Sequence, residues 1–145
     1  MTQTIKFFDL PDFAHDTADL QKWLVACSDH YHVSIHELYF NFVSADTLLR
    51  LNQKHLSHDT HTDILTFSYA TAPSLSAEVF ISLPMLLENA TSFGVSPGNE
   101  LLRLISHGFL HAVGFTDISK NEKTKMTQEE NICLSMFHVK HPTHV

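Results

Sequence analysis

A single α+β domain, with a small mixed sheet of about four strands packed with about five helices, is the fold class that these 145 residues predict. Three observations carry that prediction. The length suits one ordinary domain, assigned here to residues 1–145, that buries a real core without disulfide or metal staples. Hydrophobic residues make up 43% and charged ones 17%, with too little Pro and Gly for a fibrous or disordered chain. Finally, runs with strand composition are interspersed along the chain with runs whose apolar residues recur at helical spacing, as expected of strands and helices in one pair of layers.

The elements follow in order. TIKFFDL reads as a short strand, and a helix from about Asp16 presents Leu20, Trp23, Leu24 and Cys27 on one face. ELYFNFV, residues 37–43, has strand composition and alternation. Ser44 is placed to cap a second helix, with Leu48, Leu49 and Leu51 turned inward. The polar hinge SHDTHTD, residues 57–63, leads into the buried strand ILTFSY, and AEVFIS at 77–82 reads as another strand. A helical pattern runs from Pro84 to about Phe93, and GVSPG breaks it. Ser96 as cap and Pro97 in the first turn open a helix carrying Leu101, Leu104, Ile105 and Phe109, which stops near Gly114. Ser119 and Glu122 form a capping box for a last helix through Met126, Cys133 and Phe137, and the tail HVKHPTHV is expected to fray. No repeat, linker or low-complexity segment interrupts this order.

A net charge of −7 argues against a protein that coats nucleic acid by nonspecific electrostatics, so any nucleic-acid contact must be local. The N-terminus lacks a basic region followed by a sustained apolar stretch, and no window approaches the roughly 20 apolar residues of a membrane span. A soluble, unexported, cytoplasmic protein with no membrane partner is the expectation. Cys27 and Cys133 both lie in helix-like apolar patterns, which points to buried thiols with no disulfide partner.

Chemistry is concentrated in HGFLHAVGFTD, residues 107–117. Twelve histidines give about one i, i+4 pair by composition alone, so spacing by itself proves nothing. His32 and His36 form such a pair, but Val33, Ile35 and the strand-like run after them deny it a helical platform. His107 and His111 differ, because a capped helix puts both imidazoles on one face, Gly114 turns the chain, and Asp117 is free to return a carboxylate. Two nitrogens and one oxygen, with a fourth position left open, compose a catalytic rather than a structural site for one divalent ion, for which zinc is our expectation. Such an ion lowers the pKa of its water toward about 7. Zincin proteases carry a glutamate where this chain has Gly108, and without that general base peptide hydrolysis is disfavoured. A mid-helix glycine costs about 1 kcal/mol relative to alanine, reasonable where a substrate or a facing strand must approach the backbone.

These residues resemble a known signature. HGFLHAVGFTD is similar to H-G-x-L-H-x-x-G-Y-D-H of the YbeY family, bacterial metal-dependent endoribonucleases of ribosomal RNA maturation and ribosome quality control. LNQKHLSHDTHTDILTF, residues 51–67, resembles the family's LN-x-x-YR-x-x-D-x-x-TDVLSF, and SAEVFIS, residues 76–82, resembles its LGDIVIS strand. Two departures stand out. The family's third histidine falls on Asp117, an ordinary zinc ligand, and its arginine falls on Leu56, so a cation near the scissile phosphate is missing.

Arg103, one turn before His107, is a candidate to replace that cation at the phosphate, or else it pairs with Glu100 or Asp59. Lys54 and His58 are weaker candidates, and His58 and His61 equally suit a hinge with no chemical role. The resemblance places Asp63 beside the metal, where it either orients a ligand imidazole or, with Thr62, forms a cap or turn. Glu78, at a family aspartate, is read as structural.

The resemblance thus implies an endoribonuclease that cuts single-stranded RNA within ribosomal RNA, with small-subunit ribosomal proteins as further partners. The alternative is a noncatalytic ribosome-associated factor stabilised by its metal. A metalloprotease is third, disfavoured by Gly108.

Overall fold

Local signals set most of the element boundaries in the computed structural model, which describes residues 3–56 and 62–140. Strand β1 (Thr4–Phe8) leads to α1 (Thr17–His30), capped by Asp16, whose carboxylate accepts from the Ala18 N–H at 3.1 Å. Strand β2 (Ser34–Val43) precedes α2 (Ala45–Leu56), whose first turn is closed by Ser44 Oγ accepting from the Thr47 N–H. Strands β3 (Ile64–Ala70) and β4 (Ser74–Ser82) form a hairpin, followed by α3 (Leu83–Phe93), α4 (Pro97–Val113) and α5 (Lys120–Lys140). The capping box reads as the sequence predicts: Ser119 Oγ accepts from the Glu122 N–H, and the Glu122 carboxylate accepts from the Ser119 N–H.

The sheet order is β1-β2-β4-β3. β1, β2 and β4 are parallel neighbours, while β3 runs antiparallel to β4 at the edge, with Ile64 opposite Ile81 and Thr66 opposite Val79. Among the described residues, mixed strand direction in one four-stranded sheet with five helices is the predicted α+β class. Alternation along β4 buries Leu75, Ala77, Val79 and Ile81 on one face. Leu38 and Phe40 of β2 join them, and the shared core is closed by Leu20, Trp23 and Leu24 of α1, Leu101, Ile105 and Phe109 of α4, and Cys133 and Phe137 of α5. Trp23 Nε1 donates to the Cys133 carbonyl at 2.8 Å, satisfying the buried indole and tying α1 to α5.

Three boundaries differ from expectation. β2 begins at Ser34 rather than 37, and β4 at Ser74 rather than 77, because these ends pair with each other, Ser34 opposite Ser74. Small polar residues conceal that pairing from an alternation pattern. α5 does not fray at His138 but runs to Lys140, since buried Phe137 packs edge-on to Trp23 at 5.4 Å, and the rest of the tail expected to fray, residues 141–145, lies outside the described residues. His32 stands at φ 57° in the turn before β2, and His36 lies at a β2 irregularity, so that pair has no helix. Cys27 and Cys133 are buried free thiols, and no helix among the described residues is long and apolar enough to cross a membrane.

Candidate metal centre

Helix α4 carries the site because its apolar stripe is unusually complete. Leu101, Leu102, Leu104, Ile105, Phe109, Leu110 and Ala112 are all buried, which fixes its rotation and leaves His107 and His111 partly exposed along one edge. The close contact at Gly108 is with a strand. A Cβ built there would lie 2.7 Å from Val79 Cγ1 and 3.0 Å from Val79 Cγ2, so glycine is what lets α4 seat on β4. Position 108 therefore faces the sheet and not the histidine edge, and a glutamate there has no room. Gly114, at φ 127°, ends the helix, with its N–H on the Leu110 and His111 carbonyls, and the chain turns back toward the imidazoles.

Three side chains converge. His107 Nε2 and His111 Nε2 are 3.0 Å apart, and the Asp117 carboxylate straddles them, with Oδ2 3.3 Å from the first and Oδ1 3.5 Å from the second. Their partners set the tautomers. His107 Nδ1 meets Glu130 Oε2 at 2.6 Å, and His111 Nδ1 meets the Phe115 carbonyl at 2.9 Å. A carbonyl only accepts, and an ionised carboxylate likewise, so both Nδ1 atoms carry the proton, which leaves both Nε2 atoms, beside the Asp117 carboxylate, as acceptors. Burial, reinforced by nearby His107, lowers the pKa of His111 below the ordinary imidazole value and favours its neutral form.

Three electron-pair donors facing one another, with no proton to share in the neutral state, suit a cation. The geometry agrees: ligand bonds of about 2.0–2.1 Å at tetrahedral angles put donor atoms about 3.3 Å apart, against the 3.0, 3.3 and 3.5 Å here. His107, His111 and Asp117 are a group able to hold a divalent metal ion. They open on a cavity of about 460 Å³ whose other wall is Thr62 to Thr66, at the start of edge strand β3.

The remaining candidates are placed as follows. Asp63 lines that cavity, but its carboxylate accepts from Asn89 Nδ2 at 2.9 Å and its carbonyl from the Ser82 N–H. The carboxylate that meets the far nitrogen of an imidazole, Nδ1 of His107, is Glu130 instead. Thr62 Oγ1 donates to the Ile64 carbonyl, a turn contact. Arg103 donates through Nε and Nη2 to both oxygens of Glu100, at 2.8 and 2.5 Å, and its other near charges are Glu130 at 3.6 Å and Asp63 at 3.9 Å. Its guanidinium also lies over the Phe93 ring at 5.5 Å. Of the two pairings considered for Arg103, the Glu100 one is present; Asp59 lies outside the described residues, as do His58 and His61 and the side chain of Leu56. The Glu100 hydrogen bond raises the pKa of Arg103 further. The arginine lines a second cavity, about 450 Å³, between α3, α4 and α5, rather than the metal cavity. Lys54 is exposed on α2 and Glu78 accepts from the Tyr69 hydroxyl on the sheet's outer face.

The sequence reading missed Glu130 and the Phe115 carbonyl. Glu130 had left a signal: it stands four residues after Met126 and three before Cys133, a charge set into the buried stripe of α5. Such a residue requires a partner.

Comparisons with known proteins agree with this architecture. A family model described as endoribonuclease YbeY matches residues 6–138. A relative of that name from Bacteroides thetaiotaomicron is 36% identical over 115 residues, covering 79% of this chain and 84% of its own. Another, from Christiangramia forsetii, is 32% identical over 136 residues, covering 93% and 95%. The solution structure of TM1509 from Thermotoga maritima superposes with a TM-score of 0.62 at 21% identity, covering 94% of this chain and 90% of that one, which is a likeness of fold.

Proposed function

The chain belongs to the endoribonuclease YbeY family, and from that premise we propose that it is a metal-dependent endoribonuclease cutting single-stranded RNA in ribosomal RNA maturation and ribosome quality control. The observation that carries the reading is the convergence of His107 Nε2, His111 Nε2 and the Asp117 carboxylate beside an open cavity. A divalent ion held by these three, zinc in our reading, supplies Lewis acidity toward a phosphoryl oxygen and toward water.

The chain's own residues do the rest. His111 is kept neutral by burial and oriented by the Phe115 carbonyl, so its donor atom is ready at neutral pH. Asp117 brings the negative charge, and its partial exposure leaves the cavity side of the site accessible to a phosphodiester. Asp63 braces β3 against α3 through Asn89 and thereby holds the cavity wall in place. Arg103 lies against Glu100, Glu130 and Asp63 and offsets part of their charge, a different task from the phosphate contact its helix position suggested. Ribosomal RNA, with small-subunit ribosomal proteins around it, is the proposed partner, in the cytoplasm.

Purified protein incubated with single-stranded RNA and added zinc or manganese tests the reading. Wild type should cleave and His111→Ala should not; equal cleavage by both would mark a contaminating nuclease and sink it. The engagement of Arg103 favours one second reading, a noncatalytic ribosome-associated factor. Full zinc occupancy, loss of thermal stability in His111→Ala and no cleavage by either protein would select it.

A further inference from the structure

We propose that Glu130 is the positioning residue of this site: it holds His107 in the tautomer and orientation that present Nε2 to the ion, while Arg103, anchored on Glu100, offsets its charge. The inference rests on the metal reading above and assigns a task to a residue 23 positions away in sequence. A carboxylate on the buried face of α5 is costly unless it is paired and hydrogen-bonded. Glu130 is only 5% exposed, and its two oxygens are divided between two partners. Oε2 meets His107 Nδ1 at 2.6 Å, while Oε1 faces Arg103 Nη1 at 3.6 Å.

The unequal distances separate the roles. Arg103 spends its well-aligned donors on Glu100, itself 1% exposed, and only approaches Glu130. The arginine therefore offsets the charge of Glu130 without competing for the oxygen that His107 uses. A carboxylate accepting from the far nitrogen of a ligand imidazole fixes ring rotation and tautomer and makes the near nitrogen more basic. His111 receives only a neutral carbonyl at the same position, so the two imidazoles are held by unlike partners, His107 by a charged carboxylate side chain and His111 by the backbone.

Zinc affinity, measured by competition with a chromophoric chelator on metal-free protein checked as folded by circular dichroism, tests this. Glu130→Gln, which keeps an acceptor but loses the charge, should weaken zinc binding about 10- to 100-fold, and Glu130→Leu at least as much. Long-range proton–nitrogen spectra of metal-free protein should show the Nδ1–H form of His107 in wild type and a mixture in Glu130→Leu. Glu129→Gln, whose carboxylate pairs with Tyr31 and Lys125, should bind zinc as wild type does. Affinity within twofold of wild type in Glu130→Gln, with an unchanged His107 spectrum, would overturn the proposal while leaving the metal reading intact. Absence of zinc binding in wild type as well as His111→Ala would instead overturn the metal reading, and this inference with it.

Discussion

Gly108 of α4 lies directly against Val79 of β4, so closely that a single added methyl would sit 2.7 Å from a valine carbon. That contact seats the helix carrying His107 and His111 on the sheet. Gly108→Ala gains about 1 kcal/mol of helix propensity, but must push α4 off β4. Overpacking typically costs about 1–3 kcal/mol, and here a rigid β-branched side chain stands opposite with little room to yield. A net destabilisation of about 1–2 kcal/mol is expected in urea unfolding. Val79→Ala should relieve it, so that the double variant is more stable than additivity predicts by at least about 0.5 kcal/mol. Strict additivity would mean that the two side chains do not meet.

Arg103 is the counter-charge of three carboxylates. Arg103→Met keeps an unbranched side chain over Phe93 but strands buried Glu100. Breaking a fully buried pair costs about 3–5 kcal/mol, and because the guanidinium keeps some access to water we expect about 2–3 kcal/mol. Arg103→Lys should recover only part of this, since an ammonium cannot match the two-pronged contact with Glu100. Undiminished stability together with weakened RNA binding would return Arg103 to the role of a phosphate ligand.

How far the fold and site could be read in advance follows from sequence separation. Ser96 on Asn99 and Ser119 with Glu122 act within three residues, and both helix starts fall where the sequence puts them. The three candidate ligands lie within eleven positions, with one helix and one glycine turn between them, so local rules again suffice to bring them together. Glu130 on His107 and Asn89 on Asp63 span 23 and 26 residues and depend on how α5 and α3 pack, which no local pattern encodes. The same holds for the strand ends, where Ser34 and Ser74 pair across 40 positions. Gly108 is the intermediate case: its cost announces a close neighbour, but only the packing identifies that neighbour as Val79.

Asp117 is the most exposed of the three candidate ligands and the one that departs from the signature this stretch resembles. Asp117→His should keep one zinc per chain, since a third imidazole satisfies the same tetrahedral geometry, and elemental analysis of untagged protein reads this directly. Asp117→Ala should bind zinc more weakly than either. In the wild type, zinc at 100 times its dissociation constant should add about 2.7 kcal/mol of stability, removed by a chelator. An Asp117→Ala protein with unchanged zinc affinity would show that the carboxylate lies near the ion without binding it.

His111 couples the site to pH. Its folded-state pKa lies below the ordinary value of about 6.5 because burial and His107 disfavour the charged ring. Below that value the unfolded chain takes up a proton that the native imidazole resists, so the unfolded state gains on acidification. The contribution is therefore fully present above about pH 6.5 and is lost as pH falls from there through the lower folded value, with a slope of at most about 1.4 kcal/mol per pH unit. Urea titrations of metal-free protein from pH 7.5 to pH 5 should show this loss in wild type and a shallower one in His111→Gln, which has no proton to accept. Groups remote from position 111 are common to both proteins and cancel in the comparison. Zinc affinity should weaken over the same interval, because the ion competes with the proton for Nε2. Identical slopes in the two proteins would mean that His111 titrates alike in the folded and unfolded chain, and that burial does not hold it neutral for the metal.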